Sequence, residues 1–461
     1  MVLDEASWIL PTRRRGETLR SALERELRTA IVDGSLPAGA RLPSSRALAE
    51  TIGVSRGVTS DAYGQLESQG FVTIAPRSSP VVASVARTTG ARRARAPEPA
   101  VRFDFTPTTP DVTLFPRRAF AAALADAART ASAAALDYGD PAGLDELRLA
   151  LTDHLGLTRG VVTTPDRIVI TQGTAQAVDL VLRVLRGRGL ARVAVEDPSL
   201  ESQRRRVLGH GLEVVGQPVD ARGLVVDGLQ GDAAIVMPAH QFPTGTVLRG
   251  DRRRALAAWA REGDRFVIED DYDAEFRYDG QAVRALQGLE PSRVIYLGTT
   301  SKSLAPGLRL GWIAAPEELV DELRETKNLL DAGSPALPQL AFAQLLRNGR
   351  YARHVRRVRT IYRTRRDALI EALAQHLPEV GVEGVAAGVH LLARLPAGLD
   401  DQRAVADASA RGIRAEALST HCFVPPSQGG LVLGYGRLHE TAIPAAVEAL
   451  AAVLRLQQVR A

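Results

Sequence analysis

Two hydrophobic periods divide the chain. From residue 13 to 83 apolar residues recur at helical spacing, and Leu19, Leu23, Leu27, Ala30 and Ile31 form one face of a helix expected over 17–33 and stopped by Gly34. Pro43, Ser44 and Ser45 introduce a short helix over 46–51, and Gly53 and Ser55 introduce a third that runs to residue 69, with Ser55 as its cap. Val72, Ile74, Val81 and Val82 then flank a turn, as in a β-hairpin. Helix, helix, turn, helix and hairpin is the order of a winged helix-turn-helix, an α+β unit whose third helix enters the major groove with Arg56 near its N-terminal end. From Phe103 the pattern changes to short apolar runs at 168–171, 193–196, 234–238, 266–270, 294–298 and 310–314, separated by helix-period stretches. Such alternation predicts an α/β domain with a mostly parallel sheet. The large part is expected over about 137–334 and a small C-terminal α/β subdomain over about 335–461, with strands near 390–394 and 431–434. Residues 84–102, rich in Arg, Ala, Thr and Pro, cannot bury a core and read as a linker between the head and the body at 103–461.

Composition narrows this picture. A chain of 461 residues exceeds one ordinary domain. No apolar run approaches the ~18 residues of a membrane span. The start, Met1-Val2-Leu3-Asp4-Glu5, has acids where a secretory leader carries positive charge, so a cytoplasmic protein is expected. One cysteine, Cys422, rules out an internal disulfide framework. The eight histidines form no HxxxH motif and there is no CxxC, so local spacing predicts no metal site. The net charge of +5 is concentrated in the first 102 residues, where fifteen arginines face ten acids, and the remainder is neutral. A basic head on a neutral body suits a polyanionic partner, double-stranded DNA.

Lysine is almost absent: Lys302 and Lys327 are the only two. Arginine replaces lysine wherever only charge is needed, but it cannot lose a proton and attack an aldehyde; a lysine amine can, forming a Schiff base. Three clusters fall at the carboxyl ends of expected strands, where open parallel sheets place their sites. Gly173 and Thr174 open a helix, whose free backbone N–H groups suit a phosphate. Asp270 and Tyr272 lie two apart on a strand and share a face, with Asp271 on the other. A carboxylate keeps a pyridine nitrogen protonated and a phenol reaches a ring oxygen. Around Lys302, Thr299 and Ser301 offer hydroxyls and Arg309 a guanidinium for phosphate. An aldehyde acceptor, a phosphate cradle and an acid for a ring nitrogen together describe pyridoxal 5′-phosphate.

Two resemblances cover nearly all of the chain outside the linker. Gly39-Ala-Arg-Leu-Pro-Ser-Ser-Arg46, Gly53-Val-Ser-Arg56 and Ala62-Tyr-Gly-Gln-Leu-Glu-Ser-Gln-Gly70 resemble the GntR family of bacterial DNA-binding domains. That resemblance implies DNA contacts at Ser44, Arg46, Ser55, Arg56 and Arg77, although Pro76-Arg77-Ser78-Ser79-Pro80 stands where the family usually has glycines. Asp137-Tyr-Gly-Asp-Pro-Ala-Gly-Leu144, His240-Gln-Phe-Pro-Thr-Gly245, Glu269-Asp-Asp-Tyr272 and Ser301-Lys-Ser-Leu-Ala-Pro-Gly-Leu-Arg309 resemble the fold-type I aminotransferases and, with the head attached, the MocR/GabR regulators. The resemblance implies an aldimine on Lys302, ring contacts from Asp270 and Tyr272, and phosphate contacts from Gly173, Thr174, Thr299, Ser301 and Arg309. It also implies a head-to-tail homodimer in which Tyr138 reaches the partner's phosphate. Three positions depart from an aminotransferase. Phe242 replaces the usual asparagine, a habit of MocR-type proteins; Leu200 replaces the stacking aromatic; Val432 stands where the carboxylate-binding arginine falls, with Arg437 nearest in sequence and Arg204 or Arg205 as other holders of a carboxylate. The expectation is a transcriptional regulator that senses an amine, an amino acid or pyridoxal phosphate itself through Lys302. An active aminotransferase with an appended DNA-binding head is the alternative.

Overall fold

The computed structural model describes residues 12–76, 78–84, 100–273, 275–280 and 283–458. The chain divides into two compact units between residues 97 and 98. In the first, α1 (Leu19–Asp33) is capped by the Thr18 hydroxyl and ends on Gly34 in the left-handed conformation, φ 87°. The helix α2 (Ser45–Ile52) is capped by Ser44 and ends on Gly53. Ser55 stands at the N-cap position of α3 (Arg56–Ser68), but its hydroxyl accepts no capping bond, a departure from the expected cap. The strands β1 (Val72–Thr73) and β2 (Val81–Val82) pair antiparallel as the wing. Leu23, Leu27, Leu48, Ala62, Leu66, Val72 and Val82 close one core over this unit, and the Tyr63 hydroxyl ties α3 to Pro43 O at 2.9 Å.

The second unit begins with β3 (Phe103–Asp104). An eight-stranded sheet follows, made of β4 (Ile168–Thr171), β5 (Arg192–Asp197), β6 (Glu213–Asp220), β7 (Gly223–Leu224), β8 (Ala233–Val236), β9 (Phe266–Asp271), β10 (Val294–Thr299) and β11 (Gly311–Ala314), in the order β4-β11-β10-β9-β8-β5-β6-β7. Only β11 and the edge strand β7 run antiparallel to their neighbours. The central strands are buried along their whole length, as continuous apolar runs require when both faces are covered. The apolar pattern carries no signal for β6, because Gly216 and Pro218 interrupt it and only one of its eight residues is buried.

A second sheet is built from β12 (Gly381–Glu383), β13 (His390–Arg394), β15 (Glu416–Ala417) and β16 (Gly430–Gly434), all antiparallel, while β14 (Ile413–Arg414) pairs with β3. That pairing carries Phe103 and Phe105 into the C-terminal core beside Leu391, Leu433 and Leu450. Arg102 N already donates to Gly412 O at 2.8 Å, so the chain joins the body within the last residues of the expected linker; residues 85–99 of that linker lie outside the described residues. The helix Ala336–Arg347 buries Phe342 and Leu345 with Ile168 and Trp312 of the large part. The expected boundary near residue 335 therefore falls before a helix that packs with the large sheet. A periodic apolar face shows that a helix is buried, not against which core.

Candidate functional site

Strands β4, β9 and β10 run in one direction, since β11 is antiparallel to both β4 and β10 and β9 is parallel to β10. Their carboxyl ends therefore open on the same edge of the sheet, and the three segments singled out from the sequence meet there. The turn from β10 to β11 carries Lys302. Its ammonium has no hydrogen bond or ion pair among the described residues. Burial pushes its pKa below the ordinary lysine value, against the pull of Asp273 and Asp270. Lys327, by contrast, is fully buried and held by both carboxylate oxygens of Asp331 at 2.9 Å. One lysine is accounted for by a local ion pair; the other is not.

Asp270 and Asp271 end β9 on opposite faces. Asp271 Oδ2 accepts from Arg159 Nε and from the Tyr296 hydroxyl, both at 2.7 Å. Asp270 faces no guanidinium: Gln203 Nε2, on the helix Glu201–Gly209, donates to Oδ2 at 2.9 Å, and Oδ1 is buried without a partner. Asp271 Oδ1 is likewise unpaired, but its charge is already matched by Arg159. Burial, with Asp271 and Asp273 close by, pushes the Asp270 carboxyl up to about 7. A buried acid with a bare oxygen and no cation paired to it among the described residues is what a protonated ring nitrogen would complete. Tyr272 is buried beside Phe242 and Met237, and its hydroxyl lies 3.3 Å from His240 Nδ1.

The phosphate side is equally prepared. Gly173 opens the helix Thr174–Gly187 at φ 84° with no side-chain cap. A Cβ there would lie 3.2 Å from Arg309 Nη1, tighter than ordinary contact, so glycine lets the guanidinium sit close against the helix start. The hydroxyls of Thr299 and Ser301 lie 2.8 Å apart. Free N–H groups, two hydroxyls and an arginine without an ion pair among the described residues form an anion cradle. These residues fit pyridoxal phosphate at both ends: the bare Asp270 oxygen at the ring and this cradle at the phosphate.

Beside Tyr272 the structure packs an apolar wall. Phe242 is fully buried between His390 and His421, with ring centroids 5.0 and 4.9 Å away. Val432, Leu392, Leu418 and Met237 cluster with it, and Leu200 packs against them. The arginines considered as carboxylate holders are occupied or outside. Arg437 pairs with Asp104 at 2.6 Å. Arg204 donates to Thr420 O and lies over Phe423. Arg205 is exposed and 3.9 Å from Glu201. The Tyr138 side chain is 92 % exposed in the single chain and does not reach its own cradle.

Other site residues were not visible beforehand. Gln203 positions Asp270 from 67 residues away. Glu196, fully buried and pushed up to about 8 by burial, accepts from Met237 N and Gln241 Nε2. His240, Asp273 and His390 come together from distant segments. A residue motif gives no signal for partners so far apart.

In the head, Arg56 and Ser55 are exposed at the start of α3, with neither side chain in a hydrogen bond among the described residues. Ser44 spends its hydroxyl on the Ala47 N–H, and Arg46 pairs with Glu50 at 3.1 Å on the surface. Arg77 lies outside the described residues.

Two family descriptions match the chain. Residues 19–82 match "Bacterial regulatory proteins, gntR family", and residues 111–426 match "Aminotransferase class I and II". The chain is 33% identical over 434 residues to the pyridoxine biosynthesis transcriptional regulator PdxR of Corynebacterium glutamicum, covering 91% of this chain and 92% of that protein. It is 30% identical over 439 residues to the probable rhizopine catabolism regulatory protein MocR of Rhizobium meliloti, covering 90% and 89%. Among solved structures, an archaeal alanine:glyoxylate aminotransferase superposes with a TM-score of 0.72 at 27% identity, over 77% of this chain and 91% of that one. The α-aminoadipate aminotransferase LysN of Thermus thermophilus, complexed with N-(5′-phosphopyridoxyl)-L-leucine, gives 0.71 at 26%, over 78% and 93%. Among the described residues no helix is long and apolar enough to cross a membrane.

Proposed function

The chain belongs to the MocR-type transcriptional regulators, a GntR helix-turn-helix joined to a class I and II aminotransferase body, and on that premise we propose that it binds pyridoxal phosphate covalently at Lys302 and reports the cofactor's presence to its DNA operator. The observation that carries this reading is the half-buried Lys302 amine, without a hydrogen bond or ion pair among the described residues, within electrostatic reach of the Asp270 carboxyl and its bare oxygen. Pyridoxal phosphate supplies an aldehyde and an electron-withdrawing ring. The chain's own residues do the rest. Burial lowers the basicity of Lys302, so that more of its amine is unprotonated and nucleophilic. Asp270, steadied by Gln203, would hold a proton at the ring nitrogen, and Tyr272 would donate to the ring oxygen. Gly173, Thr174, Thr299, Ser301 and Arg309 would hold the phosphate. Tyr138, exposed in one chain, would serve the partner's cradle in a head-to-tail homodimer in the cytoplasm.

The apolar wall of Val432, Leu392, Leu418 and Phe242 supplies no guanidinium for a carboxylate, and its neighbours His390 and His421 are imidazoles rather than fixed cations, which supports pyridoxal phosphate itself as the signal rather than an amino acid. The regulation of pyridoxine biosynthesis named for PdxR supports the same choice. The same wall sets this reading against the alternative of a working aminotransferase. Multi-turnover assays with a range of amino donors and keto acids test it: at most a slow half-reaction is expected, and rapid turnover would make the body an enzyme.

For the head, Arg56 at the start of α3 is the base-reading side chain of the proposal. Arg56→Ala is expected to weaken specific operator binding by about 1–3 kcal/mol in gel-shift titrations while leaving non-specific DNA binding nearly unchanged. Equal losses on operator and random DNA would make Arg56 a phosphate contact instead.

A further inference from the structure

His240, in the loop after β8, Asp273, in the turn after β9, and His390, on β13, converge although they are far apart in sequence. One donor atom from each lies within 4.8 Å of the others, and all three side chains are buried. His240 Nδ1 is 2.9 Å from Asp273 Oδ2. Its Nε2 faces the other way, where a Cβ on Gly245 would lie 3.4 Å from it. Behind the pair, Gly388 sits at φ 72°, and a Cβ on it would overlap the His240 ring and lie 2.6 Å from Asp273 Oδ2, so the main chain seals that side.

His390 supplies the second, independent observation. It is 2 % exposed, its ring centroid is 5.0 Å from that of His240, and among the described residues only the Pro243 carbonyl comes near enough to engage one of its ring nitrogens, which leaves the other bare. A buried polar atom left bare costs about 1–3 kcal/mol, so an imidazole buried with a bare nitrogen, its other nitrogen turned to a carbonyl, points to a ligand. Two imidazoles and one carboxylate form a donor set of intermediate softness that suits a first-row transition metal and is a poor cage for calcium or magnesium, which prefer all-oxygen ligands.

We propose that His240 Nδ1, Asp273 Oδ2 and one ring nitrogen of His390 bind a single divalent transition-metal ion of the zinc class. As the metal–nitrogen bond forms, the proton between His240 and Asp273 moves to His240 Nε2, and a proton on the coordinating nitrogen of His390 moves to the other ring nitrogen. The charge of the ion is offset by the Asp273 carboxylate. The site takes no ligand from Lys302 or the phosphate cradle, although Asp273 and His390 both lie within electrostatic reach of Lys302.

The test uses the full-length protein stripped with a chelator. Calorimetric titration with Zn2+ is expected to show one ion per chain, and Co2+ is expected to give the visible ligand-field bands of a four- or five-coordinate site. His390→Ala and Asp273→Asn should each weaken Zn2+ binding by at least about tenfold, while His421→Ala, beyond Phe242, keeps the affinity of the unaltered protein. If His390→Ala loses the native circular-dichroism spectrum, His390→Gln, which keeps a polar side chain there, decides the same point. Absence of stoichiometric uptake by the unaltered protein, or unchanged affinity in the folded His390 variant, would overturn the proposal.

Discussion

Lys302→Ala leaves the chain without a borohydride-fixed pyridoxyl adduct on any side chain, read by peptide mass mapping after incubation with pyridoxal phosphate and reduction. The effect is all or none because the chain has no substitute side-chain amine. Of its two lysines, Lys327 is fully buried and fixed between the oxygens of Asp331, four residues along the same helix. Every other basic side chain of the lysine–arginine pair is arginine, which stays protonated. Lys302→Arg keeps the charge and still forms no adduct, which separates attachment from simple electrostatics. An adduct that survived in Lys302→Ala would move the attachment point and with it the reading of the whole site.

The second large effect comes from two adjacent carboxylates that do different things. Asp270→Asn removes the charge opposite the ring nitrogen, and a charge-assisted hydrogen bond of about 1.5–3 kcal/mol is worth roughly 10- to 150-fold in cofactor affinity. Asp271→Asn leaves the buried Arg159 guanidinium without its carboxylate and costs about 3–5 kcal/mol of stability, with little change in cofactor affinity. Stability and affinity therefore respond in opposite patterns at neighbouring positions. The pH dependence adds a sign. Burial raises the Asp270 pKa from 3.8 to about 7, so its folded-state contribution is fully present below pH 4 and is lost as pH rises through about 7. Asp270→Asn removes that loss, and its thermal stability without cofactor should fall less between pH 5 and 8 than that of the unaltered protein. Thermal melts across that range, beside pyridoxal phosphate titrations, check both halves. Equal cofactor loss in the two variants would contradict the division of labour.

The parts of the site that could be read in advance are local. Lys302, Asp270 and Gly173 each follow an apolar strand closely, and once those strands are parallel their ends must converge. The choice of Asp270 over Asp271 came from strand alternation alone, and the two side chains do occupy opposite faces, with Arg159 on the Asp271 side. Partners supplied by remote segments could not be read. Gln203 lies 67 residues from Asp270 and Arg159 lies 112 from Asp271, and no spacing rule links them. The histidine cluster escaped notice for the same reason: its members are never within metal-motif spacing, yet three elements fold them together. Val432 was visible as a missing arginine, but only the packing around it shows a continuous apolar wall in that place. The strand β6 and the allegiance of the helix Ala336–Arg347 were hidden because amphipathic pattern reports burial, while sheet edges and core membership are settled by tertiary contacts.

If Lys302 reports the cofactor to the DNA-binding head, its occupancy changes operator affinity. Two sites coupled in this way change each other's affinity by about 1–3 kcal/mol, or roughly 5- to 150-fold. The decisive measurement is the dissociation constant for the footprinted operator, with and without saturating pyridoxal phosphate, for the unaltered full-length protein and for Lys302→Ala. The account predicts a shift of that size in the unaltered protein and none in Lys302→Ala. The same shift in both proteins, or no shift in either, would contradict it.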